Sequence, residues 1–257
     1  MSTAYELRVE GHLDRHWSAL LGGLALSHGP DGTSTLTGTV ADQAGLHGIL
    51  AGLRDLGAPL LSLRSLADHG DGVDPLGRVA WPARTERLTL RPARAEDAEA
   101  TWRFRRLEPV CRWLTEVPTG PESWRATFAD PARLATTLVV ELDGEVIGDL
   151  MLRVEDAWGQ AEVADQARGT QAELAWVLDP SSTGQGYATE AVRELVRICF
   201  EELGLRRVVA TCFAENEASW RLMERVGMRR ELHAVRDALH RSGEWCDTYG
   251  YALLAES

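Results

Sequence analysis

A chain of 257 residues with a net charge of −12 is long enough for one large domain or two modest ones. Its acidic balance excludes a nucleic-acid partner held by a general basic field, and it favours a cationic small-molecule partner. All 27 basic residues are Arg. That removes a Walker-type phosphate lysine and a lysine Schiff base.

No apolar run is long enough to span a bilayer, and the start "MSTAYELRVEGHLDRHW" has neither the basic opening nor the apolar stretch of a signal peptide. The four cysteines, Cys111, Cys199, Cys212 and Cys246, form no CxxC pair. Reduced structural thiols in a cytoplasmic protein are the expected reading.

In chain order, residues 1–66 read as a small α+β module. "YELRV" and "STLTGTV" are strand-like, and the "GPDG" turn joins "LALSH" to "STLTGTV" in a hairpin. "ADQAGLHGILAGLRDLG" has helical spacing at Leu46, Ile49, Leu50 and Leu53, with Gly57 at its stop. "PLLSLRSL" is a last short strand. A module of this size is marginal alone and is expected to rest on the rest of the chain. Residues 67–83 are rich in Gly, Asp and Pro, a linker composition. Asp68, His69, Asp71 and Asp74 are metal-ligand types there, but their spacing matches no ligand pattern, so no metal is expected.

Residues 84–257 form the second unit. "RLTLRPA" is a strand, "AEDAEATWRFRR" a helix with acids in its first turn, and "PESWRATFA" a helix with Pro121 near its start. "TTLVVELDGEVIGDLMLRV" is a hairpin closed by Asp143-Gly144. Residues 154–170 read as a loop and "QAELAWVL" as a strand. The helix "YATEAVRELVRICFEELG" carries an apolar face of Ala188, Ala191, Val192, Leu195, Val196, Cys199 and Leu203, and Gly204 ends it. "RRVVATCF" is a strand, "NEASWRLMERVG" a short helix, and "RELHAVRDAL" with "WCDTYGYALL" a closing strand pair. This order predicts an α+β fold: a mixed, mostly antiparallel sheet with flanking helices.

Between strand and helix stands "TGQGYATEA", Thr183–Ala191. A dinucleotide fingerprint needs a third small residue where Thr189 stands, and an acid at a strand end about 20 residues on. Neither is present, and the missing lysine removes a P-loop. A glycine turn opening a helix can still aim successive amides at an anion, although glycines also serve as plain tight turns.

The order of "AELAWVLDPS", "STGQGYATEA", a helix, "RRVVATCF" and "ENEASWRLMERVGM" resembles the acyl-CoA core of the GNAT acetyltransferase superfamily, closest to its Rim-type branch, which acetylates N-terminal amines of ribosomal proteins. "TERLTLRPARAEDA", "GEVIGDLML" and "RDALHRSGEWCDTYGYALL" extend the resemblance over about residues 84–255. The family loop pattern [RQ]-x-x-G-x-[GA] falls on Thr183–Ala188, with Thr183 departing from the usual Arg or Gln. The resemblance implies acetyl-CoA as co-substrate. Its pyrophosphate would lie on Gly184, Gln185, Gly186, Tyr187, Ala188 and Thr189. Its pantetheine arm would lie along Leu174–Leu178, including Trp176, Val177 and Leu178, like an added strand. That strand must splay from "RRVVATCF", often by a bulge.

Amine attack on a thioester needs a base, oxyanion donors and a proton for the leaving thiolate. Glu173, which shares a strand face with Ala175 and Val177, is the candidate base; it could equally sit at a solvated strand start. A backbone amide of Ala175, Trp176 or Val177 is the candidate oxyanion donor. Asn216 is an ordinary N-cap by type, and the family adds contact with the pantetheine arm. Many relatives place Tyr seven residues after this Asn, where Met223 stands here. The Rim branch uses Ser at the third position, and Ser219 fits as the proton donor.

Asp247 and Tyr249 could reach the substrate cleft, although "WCDTYGY" also suits sheet packing. Trp102, Trp113 and Trp124 could line an acceptor site or simply pack. "RTERL" and "RFRR" read as solvated faces. His233 and His240 have no defined role.

The expectation is an N-acetyltransferase acting in a ternary complex on a small-molecule amine or a protein N-terminus. The alternatives are an acyl-CoA-binding regulator with little turnover, in which residues 1–66 bind a partner, and an acyltransferase using a different acyl-CoA. Oligomeric state is not legible.

Overall fold

The computed structural model describes residues 3–14, 17, 21–29, 32–41, 43–65 and 75–255. The chain divides into two compact units, Met1–Asp71 and Gly72–Ser257. Asp68, His69, Asp71 and Asp74 lie outside the described residues.

In the first unit, strands β1 (Thr3–Glu10), β2 (Ala25–His28), β3 (Thr33–Val40) and β4 (Leu60–Ser65) form an antiparallel sheet in the order β2-β3-β1-β4. The β2–β3 pair is the expected hairpin. Helix α1 (Gln43–Asp55) contributes Leu46, Ile49 and Leu53 to a core with Leu7, Val9 and Leu36. Gly57, at φ +69°, follows it in the left-handed conformation expected at a helix stop.

The second unit holds an eight-stranded sheet. Its strands are β5 (Ala83–Arg84), β6 (Leu88–Pro92), β7 (Thr137–Leu142), β8 (Glu145–Glu155), β9 (Gln171–Leu178), β10 (Arg207–Phe213), β11 (Arg229–Leu239) and β12 (Trp245–Leu254). The order is β11-β12-β10-β9-β8-β7-β6-β5, and every pairing is antiparallel except β9–β10. Asp143 and Gly144 take φ values of +52° and +86°, as the tight β7–β8 turn demands.

Strand alternation divides the apolar residues between two layers. Leu138, Val140, Leu150, Leu152, Leu174 and Val208 face one core, which also receives helix α6 (Tyr187–Arg197). Val139 and Val146 face the other, beneath α2 (Ala98–Arg105) and α4 (Pro121–Phe128), which bring Phe104, Trp124 and Phe128. Each fully buried side chain of this kind contributes about 1.5–3 kcal/mol of transfer free energy. Two single-turn helices, α3 (Glu108–Cys111) and α5 (Pro131–Leu134), complete that layer.

Three differences from expectation have physical causes. The expected linker is shorter, because Leu76, Val79 and Ala83 are buried in the second unit and Trp81 Nε1 donates to Leu76 O at 2.6 Å. A Gly- and Pro-rich average conceals these apolar side chains. The helix after the glycine turn does not stay α-helical to its end. It widens into a π turn at Ile198–Glu202, with Leu203 N donating to Ile198 O at 3.0 Å. That turn lets Ile198, Cys199 and Leu203 all reach the core. Within the expected loop, Ala161–Ala167 form a 3₁₀ stretch, and β8 runs on to Glu155.

Candidate active site

Strands β9 and β10 are paired only at Gln171, Ala172 and Glu173, opposite Arg207, Val208 and Val209. Beyond that point they part, while β9 stays in unbroken register with β8 from Gln171 to Leu178. The expected splay is therefore present, but no bulge in the β8–β9 ladder produces it. Helix α7 (Glu217–Arg225) begins just past the end of β10. Among the described residues, one edge of Leu174–Leu178 has no strand partner. Gly148 supports this from behind: a Cβ there would lie 2.6 Å from Val177 O, so only glycine lets β8 and β9 approach so closely.

The gap opens into a cleft of about 2180 Å³. Leu174, Trp176, Val177 and Leu178 line it, as do Gly184, Gly186, Tyr187, Ala188 and Thr189 of the glycine turn. Gln185, whose expected contribution is its backbone, is not among the lining residues. Its side chain turns out to solvent, where Oε1 accepts from the Tyr187 hydroxyl at 3.3 Å.

Gly184 and Gly186 have φ +78° and +83°, conformations that a side chain would strain. Gly186 is the N-cap residue of α6. Glu190 is the first residue of that turn whose amide finds a backbone acceptor, Gly186 O at 3.0 Å. The preceding amides have the orientation and the helix dipole that suit a diphosphate. Thr183, the position that departs from the family pattern, bonds Pro180 O through its hydroxyl at 2.7 Å, closing the preceding turn.

Glu173 lines the cleft, as do residues 174–178 of β9 from both strand faces. Its side chain is 30% exposed and ion-paired with Arg153, its cross-strand neighbour on β8, which also binds Glu155 at 2.8 Å. Asn216 caps α7, accepting from Ser219 N at 3.4 Å. Asn216 and Ser219 both line the cleft. Burial pushes the Cys212 thiol pKa up to about 11, a shift that the nearby Ser219 side chain opposes. Cys212, expected to be purely structural, is also a cleft residue. Met223, seven residues after Asn216, is buried in the core.

Other expected residues lie elsewhere. Asp247 and Tyr249 do not line the cleft. Asp247 accepts from Arg236 N at 2.9 Å and pairs with His233 at 2.7 Å, and the Tyr249 ring packs on His233 and under Arg230. In β12 the strand alternation turns Thr248 to the cleft instead. His240 accepts no catalytic neighbour; its Nε2 bonds Arg112 O at 3.0 Å and its ring packs against Trp113 and Phe213. Trp113 and Trp124 line the cleft, while Trp102 packs against the core beneath α2.

"RTERL" and "RFRR" are exposed at Arg84, Glu86, Arg87, Arg103 and Arg106, as expected for solvated faces, but Arg87 and Arg105 also make defined contacts. Arg87 Nε donates to Glu190 Oε2 at 2.7 Å, Arg87 Nη1 donates to Gln185 O at 3.0 Å, and its guanidinium covers the Tyr187 ring at 4.5 Å. Thr85 adds a hydroxyl bond to Glu190 Oε1 at 2.5 Å. Burial raises the Glu190 pKa, but the bonds from Thr85 and Arg87 outweigh it, so the carboxyl sits below its ordinary value. Arg105 is buried with Asp149 in a two-pronged ion pair; Nε donates to Oδ1 at 2.9 Å. No local sequence signal marks these partners, because the pairs join residues 44 and 103 positions apart.

Fold and cleft define an acyltransferase built around a splayed strand pair. A family model for the acetyltransferase (GNAT) domain matches residues 87–229, and the chain belongs to that family. A separate model, for a domain of unknown function, matches residues 4–64. An uncharacterized N-acetyltransferase of Bacillus subtilis, YnaD, is 40% identical over 84 residues, which cover 33% of this chain and 49% of that protein. The chain thus spans about half the length of this relative. The Escherichia coli L-amino acid N-acetyltransferase AaaT is 26% identical over 65% of this chain and 98% of its own. The structure of Mycobacterium smegmatis RimJ in complex with CoA-disulfide superposes with a TM-score of 0.54 at 28% identity, covering 68% of this chain and 88% of that one. Relatives therefore include members of the Rim-type branch.

Proposed function

We propose that the chain is an acetyl-CoA-dependent N-acetyltransferase that acylates a primary amine by direct transfer in a ternary complex. The observation that carries this reading is the parting of β9 from β10 directly before a helix that opens with unpartnered amides. Such a slot accepts an extended amide-bearing arm as an added strand, and the helix start accepts the diphosphate. The residues present fit that group: apolar Leu174, Trp176 and Leu178 line the slot, and glycines admit close backbone approach at the turn.

Acetyl-CoA supplies the acetyl group as a thioester. The neutral amine nitrogen forms a bond to the carbonyl carbon as the carbon–sulfur bond breaks. Glu173 receives the amine proton through water, since Arg153 occupies one edge of its carboxylate. Amides on the open edge of residues 174–178 point into the slot at every second position and hold the negative charge developing on the carbonyl oxygen. Ser219 gives its hydroxyl proton to the leaving thiolate and regains one from solvent.

Titration calorimetry with a series of acyl-CoAs, followed by free-thiol release over a panel of amines, tests this reading. Binding of acetyl-CoA with thiol release is expected. Tight binding without release from any amine supports a regulator, preference for a longer acyl chain corrects the donor, and failure to bind CoA sinks the reading.

A further inference from the structure

The arginines along the cleft are mostly matched by carboxylates: Arg87 by Glu190, Arg105 by Asp149 and Arg153 by Glu173. Arg193 and Arg225 gather beside the glycine turn, where Arg225 Nε donates to the Thr189 hydroxyl at 3.4 Å and Arg193 to Arg225 O at 2.9 Å. Arg133 differs. It lines the same cleft from α5, at the end walled by Trp113 and Trp124, and its guanidinium makes no hydrogen bond or ion pair among the described residues.

The position is built rather than frayed. The Arg133 carbonyl accepts from the Thr137 hydroxyl at 2.7 Å and the Thr136 hydroxyl at 3.1 Å, which pin its backbone. Its guanidinium lies 5.2 Å from the Trp124 ring centroid, and that of Arg105 lies 4.9 Å from the same ring. Burial, then the nearby charge of Arg105, push the Arg133 pKa down, against weaker support from Asp149, Glu116 and Asp130. None of those acids makes a hydrogen bond or ion pair with Arg133. Asp149 is taken by Arg105, Asp130 accepts from Ala132 N at 2.8 Å, and Glu116 stands exposed without a bond to Arg133. A half-buried guanidinium beside a second cation, with no acceptor, is costly until an anion arrives. Its planar fork fits a carboxylate bidentately.

Resting on the acetyltransferase reading, we infer that Arg133 receives a carboxylate of the acceptor, so that the preferred substrate is a primary amine with a carboxylate nearby, an amino acid-like molecule. The net charge of −12 favours a cationic acceptor, but the local charge at the acceptor end of the cleft selects the opposite.

Thiol release by the full chain with acetyl-CoA is measured on matched acceptor pairs: α-amino acids against their amides, and ω-amino acids of increasing length against the corresponding alkylamines. The acid of each accepted pair is expected to be preferred by about 10- to 100-fold in kcat/KM, the range of a charge-assisted bidentate contact. Arg133→Gln brings that ratio towards one, mainly through KM, and Arg133→Lys restores part of it. Acetyl-CoA affinity by calorimetry checks that both variants are folded. A wild-type protein that uses amides as well as acids overturns the inference. So does an Arg133→Gln variant that loses both equally, which assigns Arg133 to packing on Trp124. Thiol release from no amine at all sinks the acetyltransferase reading and this inference with it.

Discussion

Arg87 and Glu190, 103 positions apart, join the turn before β6 to the first turn of α6 through a 2.7 Å charged hydrogen bond. Glu190 also accepts from the Arg87 amide at 2.9 Å and the Thr85 hydroxyl at 2.5 Å, so one carboxylate anchors the glycine turn from behind. The same Arg87 fixes the Gln185 carbonyl at 3.0 Å. The turn is thereby shaped before any ligand arrives, which reduces the ordering cost of binding.

Glu190→Ala should loosen that turn. Acetyl-CoA Kd, measured by calorimetry, is expected to rise by roughly 3- to 10-fold, because a partly screened charged bond is lost. An unchanged Kd would show that the turn holds its shape without the strap.

Ser219→Ala should lower turnover by roughly 10- to 100-fold, at the low end of general-acid effects, and leave acetyl-CoA affinity near normal. Stopped-flow thiol release and calorimetry separate the two quantities. Near-normal turnover would remove Ser219 from the mechanism.

Glu173→Gln should reduce kcat by about 100-fold while preserving shape. Arg153→Gln frees the carboxylate from its ion pair and should depress kcat less. Equal, small losses in both variants would assign the pair to strand packing alone.

Asp149 and Arg105 are almost fully buried, with side-chain exposures of 5% and 12%. Arg105→Met leaves an unpaired buried carboxylate and should cost about 3–5 kcal/mol in urea denaturation. Replacing both residues, as Arg105→Met with Asp149→Leu, should recover most of that loss. A single variant near wild-type stability would refute the assignment.

With Glu190, Glu231 and Asp247, Asp97 is one of several carboxylates held below their ordinary pKa. Burial raises its pKa, but bonds from both Arg91 nitrogens at 2.8 Å and from Arg94 N at 2.7 Å outweigh burial and hold it below the ordinary value. A depressed folded-state pKa contributes stability that is full above the unfolded value near 3.9 and lost as pH falls through the folded value. Thermal melting should therefore fall steeply below about pH 4, and Asp97→Asn should be less stable at pH 7 with a flatter acid limb. A wild-type slope in the variant would place the proton uptake elsewhere.

Much of the fold follows from local chemistry. Period-2 alternation in β7–β9, the Asp143-Gly144 turn and the apolar face of α6 are each written within a few residues, because strand pleat and helical repeat are local periods. The glycine turn was legible for the same reason: two residues that need positive φ stand directly before an amphipathic helix. The π turn at Ile198–Glu202 was not, since the apolar residues Cys199 and Leu203 fit a continued α-helix equally well.

By itself the sequence determined the order of elements, the loop that can face a diphosphate, and the presence of Asn216 and Ser219 at a helix start. Tertiary structure alone decided how far β9 stays paired with β10, which strand face reaches the cleft, and which charges are matched. Those outcomes depend on pairs such as Arg87–Glu190 and Arg105–Asp149, whose members meet only after the sheet has formed. Coulomb and hydrogen-bond energies act over a few ångströms of space and are blind to separation along the chain. The solitary Arg133 became visible for that reason, once the neighbouring Arg105 had been matched with Asp149.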